Sequence, residues 1–214
     1  MIKVVSLTYN AFEENTYILY DDTRECIILD PGCHSSVEKE HLKVFIEKNG
    51  LKPVRLINTH CHLDHIFGNK WVFDTYGLLP EIHQGELPVL KAAPQVSMMY
   101  GMACEPSPMP EQFIQDNTNI TFGNSNLLTI FAPGHSPASL CFYSQEDNFL
   151  IGGDVLFYES IGRTDLPGGN YETLLNSIRN RILPLPDETV VYSGHGPSTT
   201  IGHERKYNPF INEH

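Results

Sequence analysis

The sequence predicts an α/β protein, a two-part sandwich of strands with helices on the outside. Two blocks of short β-rich runs, one before residue 59 and one between residues 127 and 151, are each followed by a segment with the apolar spacing of a helix. The chain has 214 residues, of which 41% are hydrophobic and 19% charged, as is typical of a globular protein. No repeat, low-complexity tract or flexible linker divides it, so we expect a single domain spanning residues 1–214.

The first block contains three predicted strands that end in a turn. β-rich residues cover Ile2–Thr8, Thr16–Tyr20 and Cys26–Leu29. The sequence Asp30-Pro31-Gly32 follows the third strand directly, and its proline and glycine force the chain to turn.

The first helix is predicted from its two ends and its apolar face. Ser35 and Glu38 form a capping-box pattern, in which each side chain accepts a hydrogen bond from the other residue's backbone N–H. Apolar residues at i, i+3 and i+4 from Leu42 supply the buried face, and Asn49-Gly50 ends the helix.

A buried strand and a second helix follow, and after them the pattern weakens. The strand covers Val54–Asn58, and the helix is predicted over Leu63–Tyr76. Residues 80–116 are rich in proline, which favours short helices and loops over a sheet. This segment is either a lid or an inserted hairpin of helices, and the sequence does not choose between the two.

The second block predicts three strands, a helix and a final strand. Leu174 and Leu175 lie on the same face of the helix as Ile178 and Ile182, and Pro184 ends it. The predicted strands of this half are Leu127–Phe131, Ser139–Tyr143, Asn148–Ile151 and Thr189–Tyr192.

Charge and cysteine content exclude several classes of protein. The chain has 14 Lys and Arg against 26 Asp and Glu, a net charge of −12. Nucleic-acid and anionic-membrane binding both need a basic face, so we expect neither, although the acidic chain could hold cations.

The five cysteines contain no CxxC pair, which argues against a disulfide framework. With no signal-peptide core and no apolar run long enough to span a membrane, we expect a cytoplasmic protein.

The segment Thr59-His60-Cys61-His62-Leu63-Asp64-His65 concentrates metal-binding residue types. Imidazole nitrogen and carboxylate oxygen together suit zinc or iron. In an extended turn, His60 and His62 point to the same side, whereas Asp64 and His65 lie on the first turn of the following helix. One short segment can therefore supply ligands to two adjacent metal ions.

Three further candidate ligands follow strands and have glycine beside them. They are His135 after Pro133-Gly134, Asp154 after Gly152-Gly153, and His195 between Gly194 and Gly196. Glycine lets the backbone turn sharply and approach a bound centre closely. With the first segment they make five histidines and two aspartates, enough for a two-metal site in which a carboxylate such as Asp154 bridges ions about 3.5–4 Å apart.

These residues, in this order, resemble the metallo-β-lactamase superfamily. The similarity to its glyoxalase II-like (hydroxyacylglutathione hydrolase-like) branch lies in Asn10–Tyr17, Asp30–Gly32, Ala132–Pro137, Gly162–Asp165 and Gly194–Gly202. The resemblance implies an αββα sandwich of two mixed β-sheets flanked by helices. It also implies the ligand sets: His60, His62 and His135 for the first metal, Asp64, His65 and His195 for the second, and Asp154 for both.

The resemblance implies hydrolysis by a metal-bridging hydroxide, of a thioester such as S-lactoylglutathione. The catalytic groups would be Asp64 and the bridging water held by His60, His62 and Asp154. Two divalent ions are expected, with zinc favoured and iron or manganese as alternatives. Cys61, at the alternate position, is interpreted as a packing residue, and Asp30 and Asp165 as residues that orient loops or ligating imidazoles.

Substrate contacts and two alternative functions stay open. Glyoxalase II proteins bind glutathione with a helical C-terminal extension, and we expect no counterpart of it after His195. Arg163 and Lys206 are therefore the candidates to contact the carboxylate of a small acyl-thiol substrate.

The first alternative function is that of a persulfide dioxygenase, a related family that would use one iron on His60, His135 and Asp154. The second is an inert metal-binding module. Lactam hydrolysis is not expected, since lactam hydrolases are typically exported.

Overall fold

A computed structural model describes residues 1–212. The described chain forms two compact units. The first unit comprises Met1–Ile114 and Thr121–Ser125, and the second comprises Gln115–Ile120 and the chain from Asn126 onward. The single domain expected for residues 1–214 stays a prediction.

The first unit is built on a five-stranded mixed sheet. Its strands are β1 (Lys3–Tyr9), β2 (Glu14–Tyr20), β3 (Glu25–Leu29), β4 (Lys52–Ile57) and β5 (Pro80–Glu81), in the spatial order β1-β2-β3-β4-β5. The first three strands pair antiparallel, and β3, β4 and β5 pair parallel. Every residue of β2 is buried. The four strands predicted for this half of the chain are confirmed.

Four helices belong to the first unit: α1 (Ser36–Lys48), α2 (Leu63–Ile66), α3 (Asn69–Tyr76) and α4 (Leu87–Met99). The predicted capping box of α1 is present, with Ser35 Oγ accepting from Glu38 N at 3.2 Å and Glu38 Oε2 accepting from Ser35 N at 2.7 Å. The proline-rich segment 80–116 contains one long helix, α4, which tolerates Pro94 in its interior.

The prediction of one continuous helix over Leu63–Tyr76 was wrong, because the chain breaks at Gly68 between α2 and α3. Gly68 N donates to Pro31 O at 2.6 Å, and a Cβ at Gly68 would lie 2.6 Å from Cys33 Sγ. The backbone thus passes so close to the turn after β3 that it leaves the helical path.

A six-stranded mixed sheet dominates the second unit. Its strands are β6 (Asn119–Phe122), β7 (Ser125–Phe131), β8 (Leu140–Ser144), β9 (Phe149–Gly153), β12 (Val190–Ser193) and β13 (Thr199–Thr200). Between β9 and β12 along the chain, β10 (Leu156–Phe157) and β11 (Ser160–Ile161) form a separate two-stranded hairpin. Strands β7, β8 and β9 pair antiparallel, whereas β9 and β12 pair parallel. Therefore β7, β9 and β12 all run in the same direction. The strands predicted for this half are confirmed.

Up to residue 212, the second unit has two α-helices. The predicted helix is α5 (Tyr171–Ser177), which continues as a π-helical turn, Ile178–Ile182, and its predicted apolar face is buried. The helix α6 (Ile201–Tyr207) was not predicted. The Thr200 side chain caps it by accepting from His203 N at 3.2 Å. Within residues 1–212, no helix is long and apolar enough to cross a membrane.

Candidate metal centre

Four of the predicted metal ligands lie in the first unit, directly after β4. His60 and His62 occupy the extended segment between β4 and α2, and Asp64 and His65 lie on the first turn of α2. The ring centres of His60 and His62 are 4.7 Å apart, and those of His60 and His65 are 4.1 Å apart. Asp64 Oδ2 lies 3.6 Å from His65 Nε2. The extended segment and the helical turn thus gather three imidazoles and a carboxylate in one place.

Asp30 determines which nitrogen of two imidazoles carries the proton. Its Oδ2 lies 3.1 Å from His65 Nδ1 and accepts a 2.6 Å hydrogen bond from the Thr59 hydroxyl. Because that hydroxyl donates to Asp30, it accepts from His60 Nδ1 at 3.0 Å. Both rings therefore carry their proton on Nδ1 and keep the lone pair on Nε2, the form in which imidazole binds metal. Asp30 orients imidazoles here, as the sequence suggested.

Three side chains hold the backbone of the ligand segment. Asn10 Nδ2 donates to Asp64 O at 3.1 Å, and Asn58 Nδ2 donates to His65 O at 3.0 Å. Glu86 Oε2 accepts from the backbone N–H of Cys61 at 2.9 Å. Sequence analysis missed all three residues. They bind main-chain atoms of the ligand segment, and many polar side chains can do this. Their residue types therefore gave no signal in the sequence.

Two buried acidic groups lie close to these ligands. Cys61 packs in an apolar cluster with Leu63 and Ile66, and burial raises the pKa of its thiol well above the ordinary value. It packs as predicted. Glu14 Oε1 is 3.8 Å from His65 Nδ1. Burial also raises the pKa of Glu14 well above its ordinary value, and the nearby His65 opposes that shift.

The other three predicted ligands lie in the second unit. His135 follows β7, Asp154 follows β9 and His195 follows β12. Since these strands run in the same direction, their carboxyl ends reach the same edge of the sheet. His135 Nε2 and His195 Nε2 lie 3.4 and 3.6 Å from the same atom, Asp154 Oδ2.

Neighbouring backbone fixes the position of His135. Its Nδ1 donates to Arg163 O at 2.8 Å, which leaves the Nε2 lone pair toward Asp154. Gly134 has φ +128°, and a Cβ there would lie 2.2 Å from Leu174 N. Only glycine fits this turn, as its position in the sequence suggested.

The donor set within each unit fits a divalent metal ion. Two ligand atoms bound to one zinc ion at about 2.0–2.2 Å in tetrahedral geometry lie about 3.3–3.6 Å apart. The separations of 3.4 and 3.6 Å around Asp154, and of 3.6 Å between Asp64 and His65, fall in that range. Imidazole and carboxylate donors also suit iron and manganese.

The residues predicted to bind substrate lie at the surface of the second unit. The Arg163 guanidinium makes two hydrogen bonds of 2.7 Å to the carboxylate of Asp165 and lowers the pKa of that group to about 2. Lys206 lies on α6, with Nζ 4.9 Å from the ring centre of Tyr207. Both side chains are charged and exposed, but a substrate carboxylate at Arg163 would compete with Asp165.

A sequence model of a known protein family matches most of the chain. The model of the metallo-β-lactamase superfamily matches residues 9–195, a range that contains all seven predicted ligands. The chain belongs to the metallo-β-lactamase superfamily. This is a superfamily of metal-dependent hydrolases that bind two divalent metal ions. The resemblance drawn from the sequence is confirmed, and with it the α/β fold of mixed sheets flanked by helices.

Relatives within the superfamily match nearly the full length of the chain. It is 39% identical over 202 residues to the probable metallo-hydrolase YqgX of Bacillus subtilis, covering 94% of this chain and 93% of that protein. It is 34% identical over 215 residues to hydroxyacylglutathione hydrolase GloC of Haemophilus influenzae, covering 99% and 98%. Among solved structures, BLEG-1 B3 metallo-β-lactamase is 38% identical, with a TM-score of 0.90 and complete coverage of both chains.

Proposed function

We propose that this protein is a metal-dependent hydrolase of acyl thioesters, with a small substrate of the S-lactoylglutathione class. The observation that carries the proposal is the similarity to hydroxyacylglutathione hydrolase GloC along nearly the whole chain, combined with a complete set of predicted ligands. A thioester needs a nucleophile, a polarised carbonyl and a stabilised leaving thiolate, and a two-metal site can provide all three.

In this proposal seven side chains would hold two divalent ions. His60, His62 and His135 would hold one ion, Asp64, His65 and His195 would hold the other, and Asp154 would contribute to both. When bound, the ions would supply a hydroxide near neutral pH and polarise the thioester carbonyl. Zinc is the proposed metal, and iron or manganese suit the same donors.

The protein's own groups prepare this chemistry. Asp30 and Thr59 keep His60 and His65 in the tautomer that binds metal through Nε2. Asp64, whose side chain is 16% exposed, is the proposed catalytic carboxylate and would accept a hydrogen bond from the attacking water. No side-chain nucleophile is needed, which agrees with the buried, protonated thiol of Cys61.

Arg163 and Lys206 are the proposed contacts to the carboxylates of the thiol carrier. Both are exposed cations in a chain with net charge −12, where few groups can attract an anionic substrate. A cytoplasmic location is proposed because the five cysteines are all free thiols, which is usual in a reducing compartment.

The test is an anaerobic assay of S-lactoylglutathione hydrolysis by zinc-loaded protein, with a chelator-treated sample as control. We expect turnover that stops on chelation and returns with zinc. Oxygen uptake with glutathione persulfide, and no thioester turnover, would instead support the persulfide dioxygenase. Bound metal without turnover of any substrate would support the inert module.

The similarity to BLEG-1 makes β-lactam hydrolysis the second candidate, against the expectation from the sequence. The same zinc-loaded protein should be assayed with a chromogenic cephalosporin. A kcat/KM for the cephalosporin above that for S-lactoylglutathione would reverse the order of the two candidates.

A further inference from the structure

Glu86 is a fully buried carboxylate with one defined contact to the ligand segment. It lies immediately before α4, and none of its surface reaches solvent. Its Oε2 accepts a 2.9 Å hydrogen bond from the backbone N–H of Cys61. Since burying a carboxylate is costly without strong compensating contacts, a glutamate at this position needs a reason beyond filling space.

The peptide that Glu86 holds lies between two predicted metal ligands. Cys61 stands between His60 and His62, and only 1% of its surface is exposed. A buried backbone N–H needs an acceptor, and a carboxylate makes a stronger hydrogen bond than a neutral group. Moving this peptide would turn both imidazoles, because they are attached on either side of it.

The same contact joins the ligand segment to the proline-rich segment 80–116. Cys61 and Phe67 share an apolar cluster with Leu90 and Ala93 of α4. Residues 86–93 therefore hold Cys61 in two ways. Leu90 and Ala93 pack in the same cluster as its side chain, and Glu86 accepts a hydrogen bond from its backbone N–H.

We propose that Glu86 is a positioning residue for the metal centre, which holds the peptide between His60 and His62 so that both imidazoles keep one direction. It acts through the Cys61 N–H, not by contact with substrate. The inference rests on the metal-binding role of these histidines in the proposed function.

The test compares two substitutions by zinc affinity, measured by competition with a chromophoric chelator. In E86M the apolar side chain offers no acceptor, and we expect zinc binding to weaken roughly 10- to 100-fold. In E86Q the amide oxygen still accepts from Cys61 N–H, and affinity should stay within about threefold of wild type. With cobalt in place of zinc, E86M should also shift the visible absorption bands, whereas E86Q should not.

Glu204 provides the matched control. It is also fully buried and accepts a backbone hydrogen bond, from Glu159 N at 2.9 Å, within the second unit. E204M should lower Tm without changing zinc affinity. If E86M does not fold, E86D replaces it, because the shorter side chain keeps the charge but withdraws the acceptor from Cys61.

Two results would overturn the inference. E86M, or E86D in its place, with wild-type zinc affinity would show that the contact is only structural. Equal loss in E86Q and E86M would show that charge, and not the hydrogen bond, is what matters. A wild-type protein that binds zinc tightly but hydrolyses no thioester would refute the proposed function and leave the Glu86 comparison intact.

Discussion

Asp154 is the residue on which the ligand group of the second unit converges, since one of its carboxylate oxygens lies within 3.6 Å of the Nε2 atoms of His135 and His195. D154A should therefore remove most of the bound metal and nearly all turnover. Metal content by elemental analysis and kcat on the same samples provide the measurement. A variant that kept two metal ions per chain and full activity would contradict the bridging role.

Arg163 carries a prediction about substrate affinity. If its guanidinium meets a carboxylate of the thiol carrier, R163A should raise KM while kcat stays near the wild-type value, because the charge acts in binding and not in bond breaking. R181A is the control, since Arg181 also pairs with an aspartate, Asp116, at 2.8 Å, although this pair is less exposed than that of Arg163 and Asp165. Equal kinetics for wild type, R163A and R181A would return Arg163 to a surface ion pair with Asp165.

The sequence could predict the residues that carry their own chemistry, but not those that act on the backbone. The spacing of His60, His62 and Asp64 is typical of a metal-binding segment and can be read from the sequence alone. Glu86 and Asn58 could not be found in this way, because each bonds one main-chain group and any buried Glu or Asn would look the same in the sequence. Their role follows only from the folded structure, which brings them into contact with the backbone of the ligand segment.

At the scale of elements, Asp21 joins the end of β2 to Asn124 and Ser125, and all three residues belong to the first unit. Burial alone would raise the pKa of this carboxyl group. Hydrogen bonds from the Thr23 and Ser125 side chains, and from Thr23 N and Asn124 N, outweigh that effect and lower the pKa to about 2. A carboxylate stabilised in this way supports the fold above its ordinary pKa of 3.8, and that support is lost as pH falls toward 2.

D21N should consequently lower Tm at pH 7 by several degrees. The difference from wild type should shrink between pH 4 and pH 2, measured by thermal unfolding at each pH. The exposed neighbour Asp22 supplies the control, as D22N should have little effect. A Tm difference for D21N that stayed constant down to pH 2 would mean that its hydrogen bonds, and not its charge, stabilise this junction.

Elements with strong local signals could be predicted, and those that depend on contacts could not. Helix α1 has its capping box and apolar face within its own sequence. The break at Gly68 arises from close approach to Pro31, which belongs to another part of the chain. Helix α6 is short, and packing of Ile201 and the buried Glu204, not an apolar stripe, holds it in place.

At the scale of the whole molecule, metal binding should appear as stability. A ligand that binds only the folded state at 100 times its Kd stabilises it by about 2.7 kcal/mol, which for a chain of this size raises Tm by about 5–10 °C. Zinc-loaded protein should therefore unfold at a higher temperature than chelated protein in a calorimetric scan. Magnesium, which imidazole ligands bind poorly, should not restore the shift. Equal Tm values with and without zinc would contradict a metal centre that depends on the fold.

The buried cysteines have a further consequence. Cys26, Cys33 and Cys61 lie in the first unit and Cys141 in the second, each with at most 1% of its surface exposed. An alkylating reagent can reach such a thiol only while the surrounding structure is transiently open, so the modification rate reports the free energy of opening at that site. Mass spectrometry of the labelled peptides would then give the free energy of opening of each unit separately, in the protein without substitutions.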